Sequence, residues 1–132
     1  RNKVEFFPYV LDEIEKLAQI YELGCLTNGN ADIEMIGIGK FFKFNISSKD
    51  VNANKPNKNH FQKAVELLGI SKEEILHIGD HKINDMLGAI SYGVKALWFN
   101  PDKDDWDLDD IKKPSEFNSW QGVTEKIDNF YS

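Results

Sequence analysis

The chain has 132 residues and a formal net charge of −6, with 41% apolar and 29% charged residues. That length supports one domain around one hydrophobic core, and the composition is that of an ordinary globular protein. The acidic balance excludes a general nucleic-acid binder, which needs a basic face, and gives no attraction to an acidic membrane surface.

No apolar run approaches the ~20 residues of a membrane-spanning helix. Cys25 is the single cysteine and cannot form an internal disulfide; this points to a reducing compartment, and a cytoplasmic protein is expected. The N-terminal "RNKVEFFPYV" lacks the apolar stretch and small-residue cleavage site of a secretory signal. It opens on Arg1 rather than methionine, as a processed, trimmed or incomplete chain would.

In chain order, Val10, Ile14, Leu17, Ala18 and Tyr21 recur at helical spacing, which predicts an amphipathic helix over about 9–20. "ELGCLTN" reads as a short buried strand, "ADIEMIGIG" as a helix stopped by glycines, and "FFKFNIS" as an alternating strand. "NKNHFQKAVELLGI" carries Phe61, Ala64, Val65 and Leu68 on one stripe, with Gly69 near its end, and reads as a helix. "EILHIG" is the next strand, "NDMLGAISYG" the next helix and "VKALWFN" the next strand. "NPDKDDWDLDDIKKP", 100–114, is an acidic loop bounded by prolines; "SEFNSW" and "QGVTEKIDNFY" follow as a last short strand and a last helix.

Strands that alternate with helices imply βαβ units and a parallel sheet. The expected fold class is therefore α/β, a Rossmann-like three-layer α/β/α arrangement in a single domain. Ligands of such sheets sit at the carboxyl ends of the strands, which directs attention to three corners. At "LTNGN", Thr27 and Asn28 follow a strand and Gly29 opens the turn, an arrangement fit either to cradle an anion or simply to cap a helix. At "NKP", Lys55 precedes Pro56, whose fixed backbone biases the lysine toward an extended shape; a solvated lysine in a polar loop is the plainer alternative. At "HIGDHKIND", Gly79 allows a tight turn, and Asp80, Asn84 and Asp85 gather two carboxylates and an amide oxygen. Such a set suits a hard cation, Mg²⁺ above all, although any one of the three residues could cap the following helix. An anion cradle, a held lysine and a cation site at neighbouring strand ends are the parts needed to move a phosphoryl group.

From about residue 4 to residue 100 the sequence resembles the haloacid dehalogenase-like hydrolase superfamily. "CLTNG" is similar to its second motif, Lys55 of "NKP" to its third, and "HIGDHKIND" to its fourth, hydrophobic-Gly-Asp-x-x-x-Asn-Asp. The order and spacing of the three fit that superfamily. The turns between them, "GNADIEMIGIGKFFKF" and "FQKAVELLGISKEEILHIGD", resemble those of the branch with a helical cap after the first strand, and within it phosphatases of small phosphorylated metabolites, including flavin-pathway intermediates and nucleotides. The resemblance implies that Thr27 hydrogen-bonds the transferring phosphoryl group, helped by the backbone at Asn28 and Gly29. It implies that Lys55 stabilises negative charge on nucleophile and phosphate, and that Asp80 is a direct Mg²⁺ ligand. Asp85 would be a second acid, bound through water or orienting Lys55, with Asn84 in the same loop as a weaker ligand.

The family's nucleophile is the first Asp of an Asp-x-Asp-x-Thr/Val motif at the end of the first strand, and it forms an aspartyl-phosphate. No such motif stands here at that place. The Asp-x-Asp patterns of Asp105, Asp107 and Asp109 follow the fourth motif, have no apolar strand before them, and read as a solvated loop. The expectation is a core domain over 1–132 lacking its first strand, with about 1–8 as the exit from the cap and the nucleophile upstream. The chain alone is then expected to be inactive. The strands of the second and fourth motifs should either flank that strand in the whole protein or close the gap by pairing with each other or with another chain.

The expected partner is a small phosphorylated metabolite, with neither nucleic acid nor membrane. A non-catalytic phosphate-binding or phospho-receiver-like module is the alternative function, and an interaction domain built on the acidic loop and the tryptophans is a third. His60, His77 and His81 are scattered and lack a cysteine partner, which argues against zinc; His81 adjoins Asp80 and is placed to meet substrate or solvent. "GIGKFF" lacks the third glycine of a dinucleotide fingerprint and follows a helix. Trp98, Trp106 and Trp120 read as packing residues or loop anchors.

Overall fold

The structure is a computed structural model that describes residues 8–28 and 37–131. The expected helix over "ADIEMIGIG" falls mainly outside the described residues, as do Gly29 and nearly all of the proposed cap exit. Helix α1 spans Val10–Ile20 and strand β1 Gly24–Thr27. A 3₁₀ turn at Gly39–Phe41 leads into β2, Phe44–Ser47. Then come α2 (Ser48–Val51), α3 (Asn59–Leu68), β3 (Leu76–Gly79), α4 (Gly88–Tyr92), β4 (Lys95–Phe99), β5 (Ser115–Phe117) and α5 (Val123–Tyr131).

Among the described residues every strand pairing is parallel. β1 pairs with β2, Thr27 standing opposite Ser47. β3 pairs with β4, Gly79 opposite Trp98, and β4 with β5, Phe99 opposite Phe117. The strand order is β1-β2 in one sheet and β3-β4-β5 in a second. Among the described residues β1 and β3 therefore do not pair with each other, so direct closure of the gap is not the arrangement seen among the expected alternatives. Side-chain traffic from Lys55 joins the two edges instead.

The core has two faces, as strand alternation requires. Leu97 and Phe99 of β4 pack with Leu17 of α1, Phe117 of β5, and Val123 and Ile127 of α5, while Leu76 and Ile78 of β3 lie against the same cluster. Ala96 lies on the opposite side, in a cluster of Phe61 from α3 with Ala89 and Val94 at the two ends of the α4 turn. Helices thus cover both faces of the β3-β4-β5 sheet, the three-layer order that the sequence implied.

Two local features depart from plain expectation. The segment "NDMLGAISYG" does not start as an α-helix: Lys82–Leu87 form a π-helical turn before α4, with the His81 carbonyl accepting from both Asp85 N (3.0 Å) and Met86 N (3.1 Å). Short π segments recur at functional sites because they re-aim the side chains they carry. Propensity alone gives no sign of one. The second feature is the docking of the last helix. Glu13 of α1 is 3% exposed, and its carboxylate accepts from Thr124 N at 2.9 Å and Gly122 N at 3.3 Å. A buried acid from one helix thereby caps the N-terminus of another, where orphan N–H groups and the positive dipole end favour it.

Candidate active site

The site lies where β1 and β3 end, and Lys55 is its centre. Its side chain is only 9% exposed, and Nζ donates to the Leu26 carbonyl of β1 at 3.2 Å and to Asp85 Oδ1 at 2.6 Å. Lys55 is therefore no solvated loop lysine. It links the strand that carries Thr27 to the loop that carries Asp80.

Asp85 is 6% exposed, and both of its oxygens are engaged. Oδ1 also accepts from His77 Nε2 at 3.0 Å, and Oδ2 from the His81 backbone N–H at 3.1 Å. Burial works to raise the Asp85 pKa. The hydrogen bonds from His77 and Lys55 and the lysine's charge outweigh it and hold the carboxyl well below the usual range. The close approach has a cost in sequence space at Gly79, since a Cβ there would overlap the Asp85 carboxylate. The turn at Gly79 is thus less the reason for glycine than the acid packed against it.

Capping, the competing explanation for Asp80, belongs to another residue. His81 Nδ1 accepts from the backbone N–H groups of Ile83 (3.2 Å) and Asn84 (3.0 Å) at the start of the π turn. Asp80 is left exposed at the strand end, with no hydrogen bond or ion pair to its carboxylate among the described residues. Its backbone is held from below: the indole N–H of Trp98, 1% exposed, donates to the Asp80 carbonyl at 3.0 Å. Asn84 stands in the same turn, partly buried.

Thr27 ends β1, and its carbonyl accepts from His60 Nε2 at 2.8 Å. A carbonyl can only accept, so Nε2 carries the proton. His60 is fully buried, and its Nδ1 has no hydrogen-bond partner among the described residues. Burial pushes the His60 pKa down, and Lys55 and His77 push the same way against the bond to Thr27. Next to Thr27, Asn28 Oδ1 accepts the Lys55 N–H at 2.6 Å, and Nδ2 donates to the Lys55 carbonyl at 3.2 Å. Cys25 on the same strand has its thiol pKa raised, chiefly by burial, which disfavours the reactive thiolate.

Of the residues singled out in the sequence, Thr27, Asn28, Lys55, Asp80, Asn84 and Asp85 come together at these adjoining strand ends, and Gly29 lies outside the described residues. His77, His60 and Trp98 were not assigned to the site by sequence. His77 offered one signal in retrospect: it stands two residues before Gly79, so strand alternation puts it on the same face. The acidic loop is less free than its composition implied. Lys82 Nζ donates to the Asp105 carbonyl (2.9 Å) and to Asp107 Oδ1 (3.0 Å). Trp106 packs edge-on against Trp98, with ring centroids 5.4 Å apart. Asn100, 2% exposed, bonds to the backbone of Asp104, to Glu116 Oε2 at 2.8 Å and, through its carbonyl, to Asn118.

Among the described residues no three His, Cys, Asp or Glu side chains gather as a ready metal cage. Mg²⁺ does not need one, because it is usually held by one or two carboxylates with waters and substrate phosphate oxygens completing the shell. The exposed oxygens of Asp80 fit that role. Asp85, occupied by three donors, fits the role of anchoring Lys55.

A parallel α/β/α core with a threonine, a lysine and an acid pair at adjoining strand ends defines a class, and the chain belongs to it: residues 1–99 match the family of haloacid dehalogenase-like hydrolases. Its relatives narrow the picture. The chain is 33% identical over 111 residues to the 5-amino-6-(5-phospho-D-ribitylamino)uracil phosphatase YigB of Escherichia coli (strain K12), covering 81% of this chain and 47% of that protein. It is 33% identical over 84 residues to the glyceraldehyde 3-phosphate phosphatase of Pyrococcus abyssi (strain GE5 / Orsay), covering 60% of this chain and 35% of that protein. Among solved structures, a 2-haloacid dehalogenase from Pseudomonas syringae pv. Tomato DC3000 superposes with a TM-score of 0.91 at 32% identity, over 97% of this chain and 55% of that one. An HAD phosphatase from Thermococcus onnurineus gives 0.85 at 26% identity, over 97% and 60%. The chain spans half or less of the length of these curated relatives.

Proposed function

We propose that this chain is the part of a Mg²⁺-dependent phosphatase that holds the phosphoryl group of a small metabolite. The observation that carries the reading is the Lys55 ammonium, fixed 2.6 Å from Asp85 and 3.2 Å from the Leu26 carbonyl, between the ends of β1 and β3. A buried cation already neutralised by one acid adds little net field. It does hold N–H donors and positive charge at a defined point, where phosphoryl oxygens gather charge as the transfer proceeds.

Thr27 and the backbone beyond it donate to those oxygens. Asp80 is the residue that would hold Mg²⁺, and the ion when bound supplies charge neutralisation between carboxylate and phosphate. Asp85 orients Lys55 rather than the cation. The attacking carboxylate is expected on a strand upstream, in the gap between β1 and β3, and the ester is hydrolysed through an aspartyl-phosphate. The phosphatase names of the first relatives agree with a small phosphorylated substrate.

The test is a phosphatase assay on the full-length protein, with and without Mg²⁺, across sugar phosphates, nucleotides and flavin-pathway esters, with 2-haloacids as a further arm. Mg²⁺-dependent phosphate release that disappears in Asp80→Ala supports the reading. Phosphate binding without turnover would favour the non-catalytic module, and halide release without phosphate release would move the activity to a dehalogenase.

A further inference from the structure

Asn28 turns its entire side-chain amide toward the backbone of one residue far along the chain. Oδ1 accepts the Lys55 N–H at 2.6 Å, and Nδ2 donates to the Lys55 carbonyl at 3.2 Å. One acceptor and one donor directed at a single residue is what a neighbouring strand would offer it. Lys55 has no such neighbour, because it lies in the turns between α2 and α3, and Pro56 after it has no N–H to give. Asn28 is itself braced: Ser48 Oγ at the start of α2 lies 3.5 Å from Asn28 Oδ1 and from the Thr27 carbonyl, which His60 also holds.

The backbone of a lysine sets where its flexible four-carbon stem begins. With that origin fixed, Nζ meets the Leu26 carbonyl and Asp85 together. We propose that Asn28 is a positioning residue, whose side-chain amide anchors the backbone of Lys55 so that the ammonium rests at one point of the site. The family resemblance gave this residue a different task, phosphate binding through its backbone. The side chain is committed elsewhere. The kinetic consequence rests on the phosphatase reading; the structural consequence does not.

The test compares the full-length protein with Asn28→Ala and Asn28→Asp, using NMR of the lysine ammonium groups, with Lys55→Met to assign the signal. The parent should show a resolved, slowly exchanging Lys55 ammonium. In Asn28→Ala that signal should exchange at least about tenfold faster while unfolding stays cooperative. Asn28→Asp keeps the acceptor for the Lys55 N–H but loses the donor, and should fall between the two. In the phosphatase assay, kcat of Asn28→Ala should drop about 100-fold with KM moving less than about threefold.

An Asn28→Ala protein with the parent's Lys55 signal overturns the proposal, and so does an Asn28→Asp protein whose signal matches the parent. If Asn28→Ala does not fold, the Asn28→Asp comparison decides. A parent protein that hydrolyses no phosphate ester refutes the phosphatase reading, and the ammonium signals still decide the role of Asn28.

Discussion

Lys55 and Asp85 form an ion pair in which each side chain is only 9% exposed, with Nζ 2.6 Å from Oδ1. Removing one partner leaves the other charge buried and unmatched, the costly case for such pairs. Asp85→Asn is expected to destabilise the fold by about 3–5 kcal/mol, and Lys55→Met by a similar amount. Lys55→Met combined with Asp85→Asn should be milder than the two single losses added together, because no lone charge remains. Urea unfolding of the four proteins gives the cycle directly.

Gly79 is the second place where this acid controls the sequence. Because a Cβ would enter the Asp85 carboxylate, Gly79→Ala should cost about 1–3 kcal/mol by overpacking. It should also displace Asp85 from Lys55, so activity falls further than stability predicts. Gly37, whose Cβ would meet nothing within 4 Å, has φ +81°; Gly37→Ala tests backbone strain without a clash and should leave Asp85 in place.

Trp98→Phe keeps a ring in the core but removes the indole N–H that holds the Asp80 carbonyl. Losing this part-buried hydrogen bond and leaving the Asp80 carbonyl without it costs about 1 kcal/mol. If Asp80 holds Mg²⁺, its affinity in the full-length protein should weaken by roughly tenfold, the lower end of what an outer support contributes. Calorimetric titration with Mg²⁺ checks the second figure independently of turnover.

Glu13 gives the pH dependence. Burial raises its pKa, but the bonds from Thr124, with those from Gly122 and Lys16, outweigh it and leave the group below its ordinary value. A carboxyl depressed in the folded state contributes stability that is present above its unfolded pKa, near 4.3, and is lost as pH falls through the folded value. Glu13→Gln should therefore flatten the loss of stability in that acid window. Glu13→Ala should remove about 1–2 kcal/mol at neutral pH, as the loss of a cap does. Thermal melts from pH 7 down to pH 3 distinguish the two.

Much of the fold was legible because its signals are local. Val10, Ile14 and Leu17 repeat at helical spacing and are buried in α1; Leu97 and Phe99 alternate in β4 and face one core. What escaped was geometry set by partners distant in sequence. Glu13 sits 109 and 111 positions from the N–H groups it accepts, so nothing around it marks it as a cap. The π turn at Lys82–Leu87 arises where His81 Nδ1 accepts from the N–H groups of Ile83 and Asn84 while Asp85 Oδ2 accepts from the His81 N–H, and periodicity cannot distinguish it from α. At the site, residue types and spacing marked Thr27, Lys55, Asp80 and Asp85. Residue types and spacing alone left the two acids equivalent. The family resemblance offered Asp85 for water-mediated binding or for orienting Lys55, and the shape of the turn between the acids puts Asp85 on the lysine and leaves Asp80 exposed.

The acidic run also has a practical meaning. Asn100 ties β4, β5 and the beginning of the loop together from a buried position, and Lys82 fixes Asp105 and Asp107. Asp109 and Asp110, just beyond those tethers, form an exposed turn. A short peptide tag or a fluorescent reporter inserted between those two aspartates has solvent on its side and a braced frame behind it. It would make this turn a handle for following the protein without touching its chemistry.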